Sequence, residues 1–475
     1  MNRFINKGVA AILLLIMATS CEKTLDINKD PNFPTEVDKR LLLPAAQVQL
    51  GYTVGGSVNR IAGNIVQHYG GHRNQPLQYN QYDIGPAESD GIWSAMYAVV
   101  LRDLKGVQEL ARASGDSMYV GVAQLLTAYS YSVLTDLYGD IPFSEALMDD
   151  ANITPKYDRQ EDIYPALISM IDAGVANVKS GTGSSPGTDD LVYSGNMGRW
   201  EKFGNSLKLR LLNHLSERQP GAAAAFLNTA PLLISANNEN AQVVYGSSSA
   251  NANPVYGFDV LSGRKDMAVA STIIDKMKAL SDPRMPRYFF AVKNGTNAGQ
   301  YVGNIPGGDE DDAGESLFSR VGPAYASVNS PVVLLSLAEV QFIIAEVRLR
   351  EGKAAEAGAA YNAAITADFN ALGIGSEAGT YLAKPEVAYN NTLQRIIEQK
   401  WITMFQGSYE AWVDWRRTGF PALTGAAVSR TNGIIPRRLP LPQLEINLNR
   451  QSLEAGPGVP VPIEALKVHV WWDAS

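Results

Sequence analysis

From Leu41 onward, large apolar side chains recur at three- and four-residue spacing, which predicts helices that each bury one stripe. The run from Trp93 through Tyr97 and Leu101 to Leu104 has this spacing, and 119–137 repeats it with Ala, Leu and Tyr. The second run stops at Tyr138-Gly139-Asp140-Ile141-Pro142, where glycine and proline forbid continuation. A further pair is predicted over 335–351, ending at Gly352, and over 354–367, with Tyr361 on the apolar side. The same periodicity predicts helices over 163–178, 200–218, 268–280 and 392–405.

Two of these endings match. Leu137-Tyr138-Gly139-Asp140 followed by Glu145-Ala146 parallels Arg350-Glu351-Gly352-Lys353 followed by Glu356-Ala357. A helix, a glycine turn and an acidic-Ala restart is how tetratricopeptide hairpins are built, although two unrelated helical hairpins would share this turn chemistry. Long segments rich in Gly, Ser, Asn and Pro separate the helices, at 181–198, 244–263, 294–331 and 418–443. Irregular stretches of this length often carry function. The expected fold is mainly α, with a solenoid-like helical half and a loop-rich ligand-binding half packed against it.

The N-terminus follows a different pattern. Arg3 and Lys7 precede an apolar run from Val9 to Met17, then Ala18-Thr19-Ser20 and the only cysteine, Cys21. A basic start, a short apolar core and small residues describe a secretory leader too short to span a membrane. A lone cysteine cannot form an intramolecular disulfide, so Cys21 reads as a lipid acceptor at the first mature position. Thr19 and Ser20 leave Ala18 at the position where lipoprotein leaders prefer Leu, and an ordinary leader beside an incidental cysteine is the competing reading. Several acyl chains, at about 0.8 kcal/mol per buried methylene, would anchor the protein firmly. The sequence thus divides into a signal peptide (1–20), a lipidated tether (21–40) containing Pro31 and Pro34, and a domain (41–475).

Composition narrows the function. Hydrophobic content of 45% and charged content of 19% describe an ordinary globular chain. The net charge of −8 becomes −10 once the leader's two basic residues are removed (−8 minus 2). Without a basic run, nucleic-acid binding is disfavoured. Twenty-one Tyr and seven Trp supply flat amphipathic surfaces suited equally to cores and to sugar stacking.

Sugar stacking, the alternative to core packing for such rings, needs aromatic faces together with planar amides or guanidinium groups for vicinal hydroxyls. The segment 69–83 offers both, with His72, Arg73, Asn74 and Gln75 as hydroxyl partners and Tyr79 and Tyr82 as stacking rings. The competing reading is a polar loop whose tyrosines cover a neighbouring helix. Trp93 is a further stacking candidate, although its helical spacing with Tyr97 also suits a core. Asp309-Glu310-Asp311-Asp312 offers oxygen ligands for calcium but lacks EF-hand spacing, so a solvated loop is the simpler reading. His68, His72, His214 and His469 form no zinc pattern, and neither a nucleophile motif nor a phosphate-cradling glycine loop is evident. No catalytic residue, metal or cofactor is expected.

The blocks along the chain resemble the SusD/RagB family of outer-membrane nutrient-binding lipoproteins, in its SusD-like branch. The resemblance rests on Asn28-Lys-Asp-Pro-Asn32, Leu42-Leu-Pro-Ala-Ala46, Tyr69-Gly-Gly-His-Arg-Asn74 and Leu134-Thr-Asp-Leu-Tyr-Gly-Asp-Ile-Pro-Phe-Ser-Glu-Ala-Leu147. It continues with Pro155-Lys-Tyr-Asp-Arg-Gln160, Lys202-Phe-Gly-Asn-Ser-Leu-Lys-Leu-Arg210, Asp282-Pro-Arg284, Gln399-Lys-Trp401, Glu410-Ala-Trp-Val-Asp-Trp-Arg-Arg-Thr-Gly419 and Ile435-Pro-Arg-Arg-Leu439. It implies a tetratricopeptide-containing helical protein on the cell surface that binds oligosaccharide without a catalytic step. The implied partner is a TonB-dependent outer membrane transporter of SusC type. A secreted glycan-degrading enzyme and a non-binding scaffold lipoprotein are the alternatives. Most blocks read as architecture: Asp140 and Pro142 shape a turn, and Trp412 with Trp415 forms a helix face on the core, its arginines paired to acids.

Overall fold

The computed structural model describes residues 37–458 and 462–474, so Cys21, the leader and most of the tether lie outside the described residues. Asp38 caps the first helix, α1 (Lys39–Thr53), by accepting the Arg40 N–H at 2.8 Å, which places the helix start just inside the segment expected as tether. α1 buries Leu43, Ala46 and Leu50 against α2 (Arg102–Ser114). The run from Trp93 enters α2 through a π-helical stretch, Ala95–Leu101.

α3 (Ser117–Tyr138) is buried along nearly its whole length beyond Ser117, polar Ser130, Thr135 and Asp136 included, so it buries all its faces and not the single stripe expected. It packs on α4 (Gln160–Lys179), which in turn meets α5 (Met197–His214). The α3–α4 approach depends on missing side chains: a Cβ on Gly121 would lie 2.7 Å from the Gly174 carbonyl oxygen. α6 (Leu337–Arg350) starts at Ser336, whose hydroxyl accepts the Glu339 N–H, and packs along α7 (Ala354–Ala371). Phe342 and Tyr361 meet edge-on at 6.1 Å between these two helices, both fully buried. The paired endings predicted from sequence share a positive φ, +82° at Gly139 and +76° at Gly352, but only the second continues as expected: α7 begins at Ala354, whereas no α-helix restarts at Glu145-Ala146 and the next one begins at Gln160. α8 (Leu393–Thr403) and α9 (Ser408–Thr418) close the helical part.

The strands are short and paired across long sequence distances. β1 (Tyr69–Gly71) runs antiparallel to β3 (Met267–Val269), β2 (Ala241–Val243) to β6 (Val332–Leu335), and β4 (Phe289–Phe290) to β5 (Arg320–Val321). The β1 pairing explains why the helix predicted over 268–280 begins only at Ser271: residues 267–269 are held extended by strand partners. The four segments expected to be irregular carry short helical turns, such as Tyr256–Leu261 and Pro323–Ala326, and strand β5 in 294–331.

The resemblance blocks serve the core. Asp140 Oδ1 accepts the Gln160 N–H at 2.8 Å, tying the end of α3 to the start of α4. On α9, Trp412 is fully buried and Arg417 pairs with Glu346 of α6 and with Asp414. Arg416 lies over the rings of Trp412 and Trp472, at 4.0 and 4.7 Å from their centroids, and donates to the carbonyls of Asp136 and Arg437.

Candidate functional site

The segment singled out for sugar binding is mostly a supporting wall. His72 follows β1, is 1% exposed, and its Nδ1 accepts the backbone N–H of Asp312 at 3.1 Å. Its Nε2 lies 3.0 Å from the Lys265 carbonyl oxygen. Burial, reinforced by the Arg320 guanidinium, pushes the His72 imidazole down to about 4, so it is neutral at physiological pH. Arg73 pairs with Asp311 at 3.0 Å, and Asn74 Nδ2 donates to Asp266 at 3.0 Å. Gln75 is partly exposed on the short helix Asn74–Asn80.

The proposed stacking rings have no free faces. Tyr79 and Tyr82 are 2% and 0% exposed, because Asn74–Asn80 is a helix that turns Tyr79 inward and Tyr82 lies just beyond its end with φ of +55°. Trp93 is also core, packed against Tyr97 at 4.7 Å and edge-on to Tyr138 at 5.3 Å. His72, Tyr79, Tyr82 and Trp93 therefore do not present contact surfaces to a ligand. The Asp309–Asp312 stretch is likewise structural at two of its positions. Asp311 holds Arg73, while Asp312 accepts the backbone N–H groups of Ser316, Leu317 and Phe318 and pairs with Arg320 at 3.0 Å. Among the described residues no three His, Cys, Asp or Glu side chains are grouped to hold a metal ion.

In front of this wall lies a cavity of about 440 Å³. Phe318 and Arg320 form its back, and both touch His72, at 5.9 Å between rings and 2.6 Å between Arg320 Nη1 and His72 Nε2. Phe290 is its aromatic face. Strand alternation puts Phe289 in the core, 1% exposed, and Phe290 outward, 50% exposed and directly opposite Arg320. Val260, also half exposed, lines it as well.

The rim is charged. Glu315 Oε2 accepts from Lys265 Nζ at 2.7 Å and from Lys293 Nζ at 3.3 Å, and the Lys265 bond holds this carboxyl below its ordinary range. Asp259 is buried at the base, where its Oδ1 accepts two backbone N–H groups and burial raises its pKa. A flat apolar ring beside two ammonium groups and a carboxylate suits the apolar face and the hydroxyls of a pyranose. Glu315 is held ionised by two lysines, so it cannot serve as the proton donor that glycoside hydrolysis requires.

The sequence did contain a signal for Phe290: Tyr288-Phe289-Phe290 has no helical spacing and lies just before the long irregular segment 294–331. That segment and 244–263 supply most of the cavity's walls.

Helical hairpins of tetratricopeptide type with a loop-built, aromatic-faced pocket define the class of this protein. The family described as "Starch-binding associating with outer membrane" matches residues 31–442, and the chain belongs to this SusD-like family. Among solved structures it is similar to a chitin-binding protein, with 25% identity, a TM-score of 0.80, and 92% of this chain and 100% of that one covered. It is also similar to a SusD/RagB family protein from Bacteroides thetaiotaomicron, with 22% identity, a TM-score of 0.79, and 93% and 100% covered. A chitin-binding SusD homolog from Flavobacterium johnsoniae has 24% identity and a TM-score of 0.71, over 89% of this chain and 99% of that one. No curated protein sequence matches the chain. Among the described residues no helix is long and apolar enough to cross a membrane.

Proposed function

We propose that this chain is a non-catalytic, lipid-anchored glycan-binding protein of the outer membrane surface, which captures oligosaccharide at the Phe290 cavity and passes it to a SusC-like TonB-dependent transporter. The half-exposed Phe290 ring, lining one cavity with Val260 and the Lys265–Glu315–Lys293 cluster, carries this reading. His72, Arg73 and Asn74 act in it as positioning residues, since they hold Asp312, Asp311 and Asp266 behind the cavity. The family description, with its starch binding and outer-membrane association, supports both the ligand class and the location.

Phe290→Ala tests the site. A sugar face covering this ring should contribute at least about 1.4 kcal/mol, so the variant should bind its glycan about tenfold more weakly or worse. Because the ring is half exposed, stability should stay within about 0.5 kcal/mol of wild type. Titration of chito- and malto-oligosaccharides, paired with thermal melts, reads both quantities. Unchanged affinity for a glycan that the wild type binds would remove Phe290 from the site.

The anchor is tested separately. Cys21→Ala should release the protein from membranes or leave the leader uncleaved. Unchanged membrane retention, with a mature terminus elsewhere, would end the lipoprotein reading. Delivery predicts that the transporter co-purifies from solubilised outer membranes.

A further inference from the structure

A second cavity, of about 410 Å³, borders the same Met285–Phe290 segment: Phe290 faces the first cavity, whereas Arg287 lines the second. It lies where the helical half meets the loops. Ala338 of α6, Ala367 and Ala371 of α7, Leu372 and Met404 provide apolar walls, and Tyr325 adds a partly exposed ring.

Its polar lining is unusual in what remains unused. Asn59 Oδ1 accepts the Ser408 N–H at 2.8 Å, so the Asn59 amide donates to Gln406 Oε1 at 3.3 Å, which fixes the orientation of the Gln406 carboxamide. Gln406 Nε2 is then out of contact with solvent and has no hydrogen-bond partner among the described residues. An unpaired buried donor of this kind is costly. Asn240 Oδ1 accepts the Leu337 N–H at 2.8 Å, so its Nδ2 is a donor without an acceptor among the described residues. Gln242 and the exposed Arg287 also line the cavity, and neither side chain has a partner among the described residues.

The two carboxylates at the wall are already committed. Glu339 receives two hydrogen bonds from Arg210 at 2.6 Å, and Asp368 Oδ2 receives Arg284, Tyr288 and Thr403. The cavity therefore offers amide donors and a guanidinium, with no free anion to match them. A complementary occupant brings acceptor oxygens and a negative charge.

We propose that this cavity is a second ligand site, separate from the Phe290 cavity, for a compact polyhydroxylated molecule bearing a carboxylate, such as a uronic acid. Arg287 at the mouth takes the carboxylate, the Asn240 and Gln242 amides take ring and hydroxyl oxygens, and the alanine and leucine walls accommodate the C–H face.

Calorimetric titration of the folded protein with D-glucuronate, and with D-glucose as the uncharged control, tests the site. D-glucuronate should bind saturably and at least about tenfold more tightly than D-glucose, a difference that a single charge-assisted hydrogen bond can supply. Arg287→Ala should remove that preference. Ala371→Trp, placed at an exposed position of the lining, should block binding of both sugars while thermal melts remain unchanged. Phe290→Ala should leave D-glucuronate binding intact, which separates this site from the oligosaccharide site. The proposal is overturned if D-glucuronate shows no saturable binding, if Ala371→Trp binds it like wild type, or if D-glucose binds equally well.

Discussion

Glu346→Ala is expected to destabilise the fold by about 3–5 kcal/mol, the cost of leaving a buried partner charge unpaired. Glu346 is 1% exposed on α6, where its carboxylate binds Arg417 of α9 through both oxygens, Arg350 Nε at 3.0 Å and Asn213 Nδ2 at 3.2 Å. Burial alone would raise its pKa, but the Arg417 guanidinium outweighs that penalty and holds it near 2. With alanine in its place, Arg417 keeps only Asp414 and the Ser216 hydroxyl while remaining fully out of water. Urea unfolding measures the loss. The double variant Glu346→Leu with Arg417→Met should recover most of it, because the pair is costly to break rather than strongly stabilising to possess. If Glu346→Ala fell within about 1 kcal/mol of wild type, the α6–α9 pair would not be holding the helices together.

Helical spacing was enough to place the helical half. The stripes over 119–137 and 335–351 became α3 and α6, and the glycine endings at Gly139 and Gly352 share a positive φ. What periodicity could not show was partner choice. Nothing local in 267–269 announces that β1, some two hundred residues earlier, holds it extended, and nothing in Arg417 announces Glu346. Such pairings depend on long-range contacts whose sequence imprint is spread over distant segments.

The site was legible in the same partial way. An aromatic-amide mixture has one composition whether it lines a groove or caps a core, and in 69–83 the short helix Asn74–Asn80 decided for the core by turning Tyr79 inward. The exposed ring, Phe290, sits in a two-residue strand. Its outward direction follows only from pairing with Arg320–Val321, thirty residues along the chain. The length of the irregular segments was the better guide, since 244–263 and 294–331 supply Asp259, Val260, Glu315, Phe318 and Arg320 to the cavity.

The buried charges around α5, α6 and α9 also predict how stability depends on pH. Asp136, Glu339, Glu346, Glu410 and Asp414 are buried there with Arg210, Lys400, Arg416 and Arg417, and His214 lies between two of the carboxylates. His214 Nε2 lies 3.0 Å from Glu410 Oε2, and Nδ1 lies 3.1 Å from the Tyr164 hydroxyl and 3.4 Å from Asp136 Oδ2. Burial opposes the charged imidazole, but Glu410 and Asp136 together raise it to about 9 from 6.5. A group whose folded pKa is raised contributes stability that is complete below its unfolded value and disappears as pH rises through its folded one. Wild-type stability should therefore decline between pH 6.5 and about 9, by about 3 kcal/mol at most for this group. At the acid end the sign reverses: burial raises the Glu346 and Glu410 pKa values, yet their cationic partners bring both down to about 2, so their contribution fades as pH falls from 4.5 through that value. Urea midpoints at pH 6, 7.5 and 9 measure the alkaline limb, and His214→Gln should be less stable at pH 6 and nearly flat across it. A wild-type protein equally stable at pH 6 and 9 would mean that His214 is neutral in its pocket between Glu410 and Asp136.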